Sequence, residues 1–410
     1  MKHTTLAIVM LGAIALIATA CGNPPAPTPL PVILPTATSV PPTATTAPTA
    51  TKPPTVAPTA APTTASAGKV DPATIQLRYT MMALNVHQLG ELVDKWSGGD
   101  DGARAEASER MERLDQLTDF SWPSEMTNGV KGFKGAMGDL DKALTAKDKA
   151  NAPKAYNALN DAFDSASHPF YGKWMPGMMS GGKMMNDQIS VQATYLGMAF
   201  NVNLLDGMMA RWNKSDDAAR AEMGEMLERL DTMVGYVTWP SDLNKGVTTF
   251  KGSMDALDQA VKAKDMKTAQ SALNDLKGSF DGVAHPYYGK YMMGMLNMKT
   301  SDAPSVSAAF LDLALNEAGL AESLTAWKGG DDGARSEASE KFERLDAIFD
   351  SVQWPDALAK SVTAFKTSLA PVQTAVKAKD AAGALKAFAD AGDAFDAVAH
   401  PYYKWLAASR

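Results

Sequence analysis

The chain has 410 residues, 45% of them apolar, and carries 39 basic against 46 acidic side chains for a formal net charge of −7. That acidic balance excludes nucleic acid and anionic lipid as partners of the folded part, because both are bound through an excess of Lys and Arg. Beyond the N-terminus no apolar run reaches the ~20 residues that a bilayer crossing requires, which excludes a membrane-spanning protein.

In chain order, residues 1–20 read as a secretory signal: Lys2, an apolar run from Leu6 to Ile17, and small residues before Cys21. The stretch IATAC resembles the lipobox of bacterial lipoproteins, which implies that Cys21, the only cysteine, is lipidated and becomes the mature N-terminus. The resemblance therefore implies an extracytoplasmic protein held to the membrane by lipid. Removal of the signal takes Lys2 with it and leaves 38 basic against 46 acidic residues, a net charge of −8. Residues 21–69 are Pro, Thr and Ala, with Lys52 and Lys69 as their only charges. Such a segment has nothing to bury and reads as a disordered stalk, extending at about 3.1 Å per residue.

The rest of the chain is an internal repeat of about 116 residues, marked by three landmarks. Tryptophans stand at Trp96, Trp212 and Trp327; Trp-Pro pairs follow at Trp122, Trp239 and Trp354; His-Pro pairs close each copy at His168, His285 and His400. Each copy divides into four helical segments. In the third, Val130, Phe133, Met137, Leu140 and Leu144 recur at steps of three and four, and Val247, Phe250, Met254, Leu257 and Val261 match them, as do Val362, Phe365, Leu369, Val372 and Val376. That stripe is the packed face of a helix in a bundle. The first segment shows a similar stripe of Met82, Leu89, Val93 and Trp96, ending at SGGDDGA, where glycines suit a helix stop and Asp100 or Asp101 the next N-cap. The second keeps Glu109 with Arg113, Glu225 with Arg229 and Glu340 with Arg344, read as surface pairs of ~0.5 kcal/mol at most. The expected fold is all-α: three tandem antiparallel four-helix bundles at 70–175, 187–292 and 305–410, joined by linkers around 175–187 and 292–305.

No enzyme signature is present: no Gly-rich phosphate loop, no H-E-x-x-H, no nucleophile elbow and no paired acid and base. The histidines are the better candidates, because three of the five occupy the same slot. Helix phase aims His168 away from the core stripe of Tyr156, Leu159, Phe163 and Ala166, and the following proline is expected to end the helix. Asp164, Asp281 and Asp396, four residues before each histidine, offer it a hydrogen bond or ion pair.

The first copy resembles the soluble b-type cytochromes and cytochromes c-prime, through MMALNVHQL in its first helix, the Trp-Pro before the third, and SHPFYGK. The resemblance implies a haem ligated by His168 with Met81 or Met82, and by His285 with Met198 in the second copy. The c-type attachment C-x-x-C-H is absent, so this would be haem b held without a covalent link. Where the first copy has Met81 the third has Asp312, which leaves the third copy without that ligand. A second candidate is Cu(I), which thioether sulfur and imidazole suit. The chain has 24 methionines, and Met175, Met178, Met179, Met184 and Met185, then Met292, Met293, Met295 and Met298, cluster just after a His-Pro. Asn85, Asn201 and Asn316, kept in all copies, read as buried hydrogen-bonding residues that fix register.

The sequence thus points to a lipid-anchored, non-catalytic binding protein outside the cytoplasm, with haem b or copper as the sharper reading and no cofactor as the baseline. The alternative is a structural or adhesive surface protein that binds another macromolecule with its bundle faces.

Overall fold

The computed structural model describes residues 71–179, 185–292 and 300–409; the signal, Cys21 and the stalk lie outside them. Twelve helices form three four-helix bundles, with no strand among the described residues beyond an isolated bridge of Met185 with Val237. The first bundle comprises α1 (Pro72–Ser97), α2 (Asp101–Thr118), α3 (Ser124–Thr145) and α4 (Ala152–Pro169). The second comprises α5 (Gln188–Trp212), α6 (Asp217–Tyr236), α7 (Ser241–Lys262) and α8 (Met266–Pro286). The third comprises α9 (Ala303–Lys328), α10 (Asp332–Ser351), α11 (Asp356–Lys377) and α12 (Ala381–Ala408).

Local sequence sets the helix ends. Asp71, Asp187 and Asp302 cap the three first helices by accepting from the amides of Thr74, Ser190 and Ser305. Asp100, Asp216 and Asp331 cap the second helices in the same way. Ahead of two of those caps the chain reverses through Gly99 (φ 115°) and Gly330 (φ 107°), a left-handed geometry that glycine takes without steric cost. Within each bundle every helix packs on its sequence neighbours and the fourth returns to the first, an up-down-up-down ring. The third-helix stripe is buried as the periodicity predicts, with Phe133, Phe250 and Phe365 fully enclosed.

The first helices depart from the one-sided stripe expected for them. Residues 75–86, 190–198 and 305–316 are buried without a break, on every face. The reason is that α1, α5 and α9 also pack against one another, so each belongs to its own bundle and to a shared central core. A helix apolar all round is a buried helix. Polar groups reach across this core in places, as where the Gln76 amide donates to Thr194 Oγ1 at 3.2 Å. The three copies accordingly form one compact unit rather than separate domains.

The contacts between copies run in a closed cycle, in which each fourth helix and the residues that follow it meet the second helix of the next copy and the last returns to the first. Arg229 reaches Asp164 at 2.6 Å, Arg344 reaches Asp281 at 3.7 Å, and Arg113 reaches Asp396 at 3.1 Å. Each guanidinium also lies over a tyrosine of the preceding copy: Arg229 over Tyr171, Arg344 over Tyr288, Arg113 over Tyr403. The arginine of each Glu-Arg pair is therefore a largely buried joint, with the Arg113 side chain only 7% exposed, and not the surface helix pair expected from spacing. Its i−4 glutamate stays on as a second contact at 3.4–3.8 Å, longer than the aspartate contact for Arg113 and Arg229 and shorter for Arg344.

Candidate functional site

The His-Pro-aromatic-Tyr motif is part of this joint. Proline does not end the helix: α4 continues through a π-helical turn over Phe170–Trp174 into a short helical turn at Met175–Met179, α8 through a π-helical turn over Tyr287–Met292, and α12 runs through Pro401 as α-helix. The continuation brings two aromatic residues inward. Phe170, Tyr287 and Tyr402 stack on Tyr79, Tyr195 and Phe310 of their own first helices, with ring centroids 3.9, 3.7 and 3.7 Å apart. The next tyrosine crosses to the following copy, where the Asn316 amide donates to Tyr288 Oη at 2.9 Å and the Asn85 amide to Tyr403 Oη at 2.8 Å. The repeated asparagine is thus a register-fixing residue that acts between copies.

The residues expected to hold haem fall in two different environments. His168 and His285 are surface side chains, 64% and 62% exposed, and each ring Nδ1 sits by the carbonyl of the aspartate four residues back, at 3.0 and 2.8 Å. Met81, Met82 and Met198 are enclosed in the central core, where the Tyr402 hydroxyl donates to Met81 Sδ at 3.4 Å. A histidine pointing to solvent and a methionine sulfur committed to Tyr402 do not flank a common space. The proposed copper ligands divide in a similar way. Met175 and Met292 are fully buried, so the chain after the first His-Pro is packed helix and not open linker, while Met178 is 36% exposed. The side chain of Met179, together with Met184, Met293, Met295 and Met298, lies outside the described residues.

One oxygen- and nitrogen-bearing group does assemble: ligand atoms of Asp164, His168 and Glu225 lie within 4.8 Å of one another. Arg229 already holds both carboxylates, at 2.6 and 3.6 Å. A guanidinium at that place does the work a cation would do, and the donor set is hard where Cu(I) prefers soft sulfur.

A cleft between the third copy and the first is the feature that motif reading missed. It encloses about 680 Å³ between α1 and α2 on one side and α9 and α12 on the other, within the range of small-molecule pockets. Its walls are apolar, with Leu92, Leu385, Phe388 and Phe395, and seven of its lining residues are carboxylates against only Lys95 and Arg110. Burial, aided by Asp396, holds the Glu106 carboxyl up at about 7 and the Glu317 carboxyl up at about 8, against the opposing pull of nearby Arg110. Neither carboxylate makes a hydrogen bond or ion pair among the described residues, and the buried Gln88 Oε1 in the same wall has no partner. Acids with perturbed pKa values in a concave site mark a candidate binding site.

Small residues of the third copy open the cleft. Where the second copy has Asn203, Asp206, Asn274 and Lys277, the third has Ala318, Ala321, Ala389 and Gly392, all four lining the cavity. The signal was in the sequence, as a difference between copies and not as a motif.

Compared with protein-family models, curated proteins and solved structures, the chain matches none.

Proposed function

We propose that this is a lipid-anchored, extracytoplasmic and non-catalytic binding protein whose folded body receives a small-molecule ligand in the cleft between its third and first copies. The observation that carries the reading is the cleft itself: a cavity of about 680 Å³ that combines apolar side chains with partly buried carboxylates whose pKa values are raised. The lipobox-like IATAC supports the anchor on Cys21, and no described helix is long and apolar enough to cross a membrane.

Binding is favoured over catalysis by what the carboxylates lack. The hydroxyl lining the cleft, Thr325, is committed to the Ala321 carbonyl at 2.8 Å, and no imidazole faces the acids. The cleft is favoured over a His-Met centre because His168 and His285 are on the surface while Met81, Met82 and Met198 are in the core.

A thermal-shift screen of small molecules on the wild type and on Ala321→Trp tests this. Tryptophan at that position fills the cleft from α9, so compounds that raise the wild-type melting temperature are expected to leave the variant unmoved. At 100 times Kd a ligand adds about 2.7 kcal/mol, a shift easily read. Compounds that stabilise both proteins equally would place the site elsewhere.

A further inference from the structure

The second copy meets the third at a junction equivalent to the one that holds the cleft, and there a lysine stands near the acids. Lys277 of α8, half exposed, donates to Asp206 of α5 at 2.6 Å. Burial works against its charge, but Asp206, Glu337 and Glu322 outweigh that cost and raise the lysine's pKa. Glu322 and Glu337 belong to the first and second helices of the third copy. Their counterparts in the first copy, Glu91 and Glu106, line the cleft in the same way.

At the cleft the acids are kept and the lysine is gone. Gly392 stands where Lys277 does, and Ala321 where Asp206 does. Glu317 stands where the second copy has Val202 and the first has Val86, and so makes up for the carboxylate lost with Asp206, while the lining Lys95 stands where the sister junction has Ala326, on the opposite wall from Gly392. A Cβ built on Gly392 meets nothing within 4 Å, so the space the lysine stem would take is open. Arg110 does not substitute for it, because its own counterpart at the sister junction, Lys341, is present there together with Lys277.

We propose that the cleft binds an organic ammonium ion with an apolar body, whose charged nitrogen takes the place that Lys277 Nζ fills at the sister junction, against Glu91, Glu106 and Glu317, and whose carbon skeleton lies along Leu92, Leu385 and Phe388. This rests on the cleft being the ligand site. A bare inorganic cation would leave the apolar walls uncovered, and a neutral ligand would leave the acids unpaired. The raised pKa values of Glu106 and Glu317 fit the same picture, because an ammonium seated between them favours their charged forms and binding then releases protons.

Calorimetric titration of the full chain with phenethylammonium chloride, with neutral 2-phenylethanol and with potassium chloride tests the assignment. Phenethylammonium is expected to bind one to one, and the alcohol at least ~10-fold more weakly, as expected for loss of a charge-assisted contact in a partly desolvated site. Gly392→Ala is expected to bind as the wild type does. Gly392→Lys restores the sister junction's lysine and is expected to weaken the amine at least ~10-fold by placing like charge at its site. Glu317→Gln, which keeps shape and removes charge, is expected to weaken it as well and serves if the lysine variant does not fold. No binding of phenethylammonium, equal binding of the alcohol, or undiminished affinity in Gly392→Lys and Glu317→Gln would overturn the ammonium assignment. Ammonium binding that persists in Ala321→Trp would instead overturn the cleft as the site.

Discussion

Removing the third copy by ending the chain at Lys299 is expected to unfold the other two. In separate bundles, each copy would keep its own stability and the shortened chain would melt at the temperature of the whole. Here α9 covers faces of α1 and α5 that are otherwise part of a continuous core, and α12 supplies Tyr403 to Asn85 and Asp396 to Arg113. Loss of the third copy exposes those faces at once, and burial of each large apolar side chain is worth ~1.5–3 kcal/mol. Against a total stability of ~5–15 kcal/mol the loss of several is decisive. Circular dichroism during heating is expected to show one cooperative transition for the full chain and none for the shortened chain. A shortened chain with the original melting temperature would mean that the copies are independent.

The second large effect concerns Asp312, a fully buried carboxylate at the position that is Met81 in the first copy and Gly197 in the second. Its Oδ1 accepts from Tyr288 at 2.6 Å and from the Asn316 amide at 2.8 Å, while Oδ2 has no hydrogen-bond partner. Burial raises its pKa from 3.8 to about 7, against the smaller pull of the Tyr288 hydrogen bond and of Arg344. A carboxyl whose folded pKa lies above its unfolded one contributes stability in full below the unfolded value and loses it as pH rises through the folded value. Asp312→Asn keeps an acceptor toward Tyr288 and removes the charge. The wild type is therefore expected to lose about 4 kcal/mol relative to Asp312→Asn between pH ~4 and pH ~8, from about three pKa units at 1.36 kcal/mol each. Denaturant melts of both proteins across that range check it, and parallel pH profiles would show that Asp312 is ionised throughout.

Much of the fold was legible in the sequence because it is local. The stripe beginning at Val130 and Phe133 fixed the buried face of the third helices, and Asp100 caps α2 at the expected place. What was not legible depends on partners distant in sequence. Nothing in the four-residue spacing of Glu109 and Arg113 tells that the guanidinium turns to Asp396 of another copy instead of staying with its neighbour on the helix. The proline of His-Pro was expected to break the helix, because its ring removes a hydrogen-bond donor and crowds the preceding turn. The π-helical turn after Pro169 and Pro286 absorbs that disturbance, and stacking of Phe170 and Tyr287 on the first helices holds it in place.

The site was the least legible part for a different reason. Histidines and methionines stand out in a sequence because their chemistry is distinctive, and the fold placed them on the surface and in the core, respectively. The cleft is made by Ala318, Ala321, Ala389 and Gly392, residues that attract no notice singly. Their meaning appears only when the copies are overlaid and the missing Lys277 is weighed against the acids that remain around its counterpart.

The most direct measurement is the position of a bound amine in a crystal of the full chain soaked with phenethylammonium. The account predicts the ammonium nitrogen beside the carboxylates of Glu91, Glu106 or Glu317 at the level of Gly392, with the ring against Leu385 and Phe388. Amine bound on the surface near His168 or His285, or a cleft left empty of amine, would contradict it.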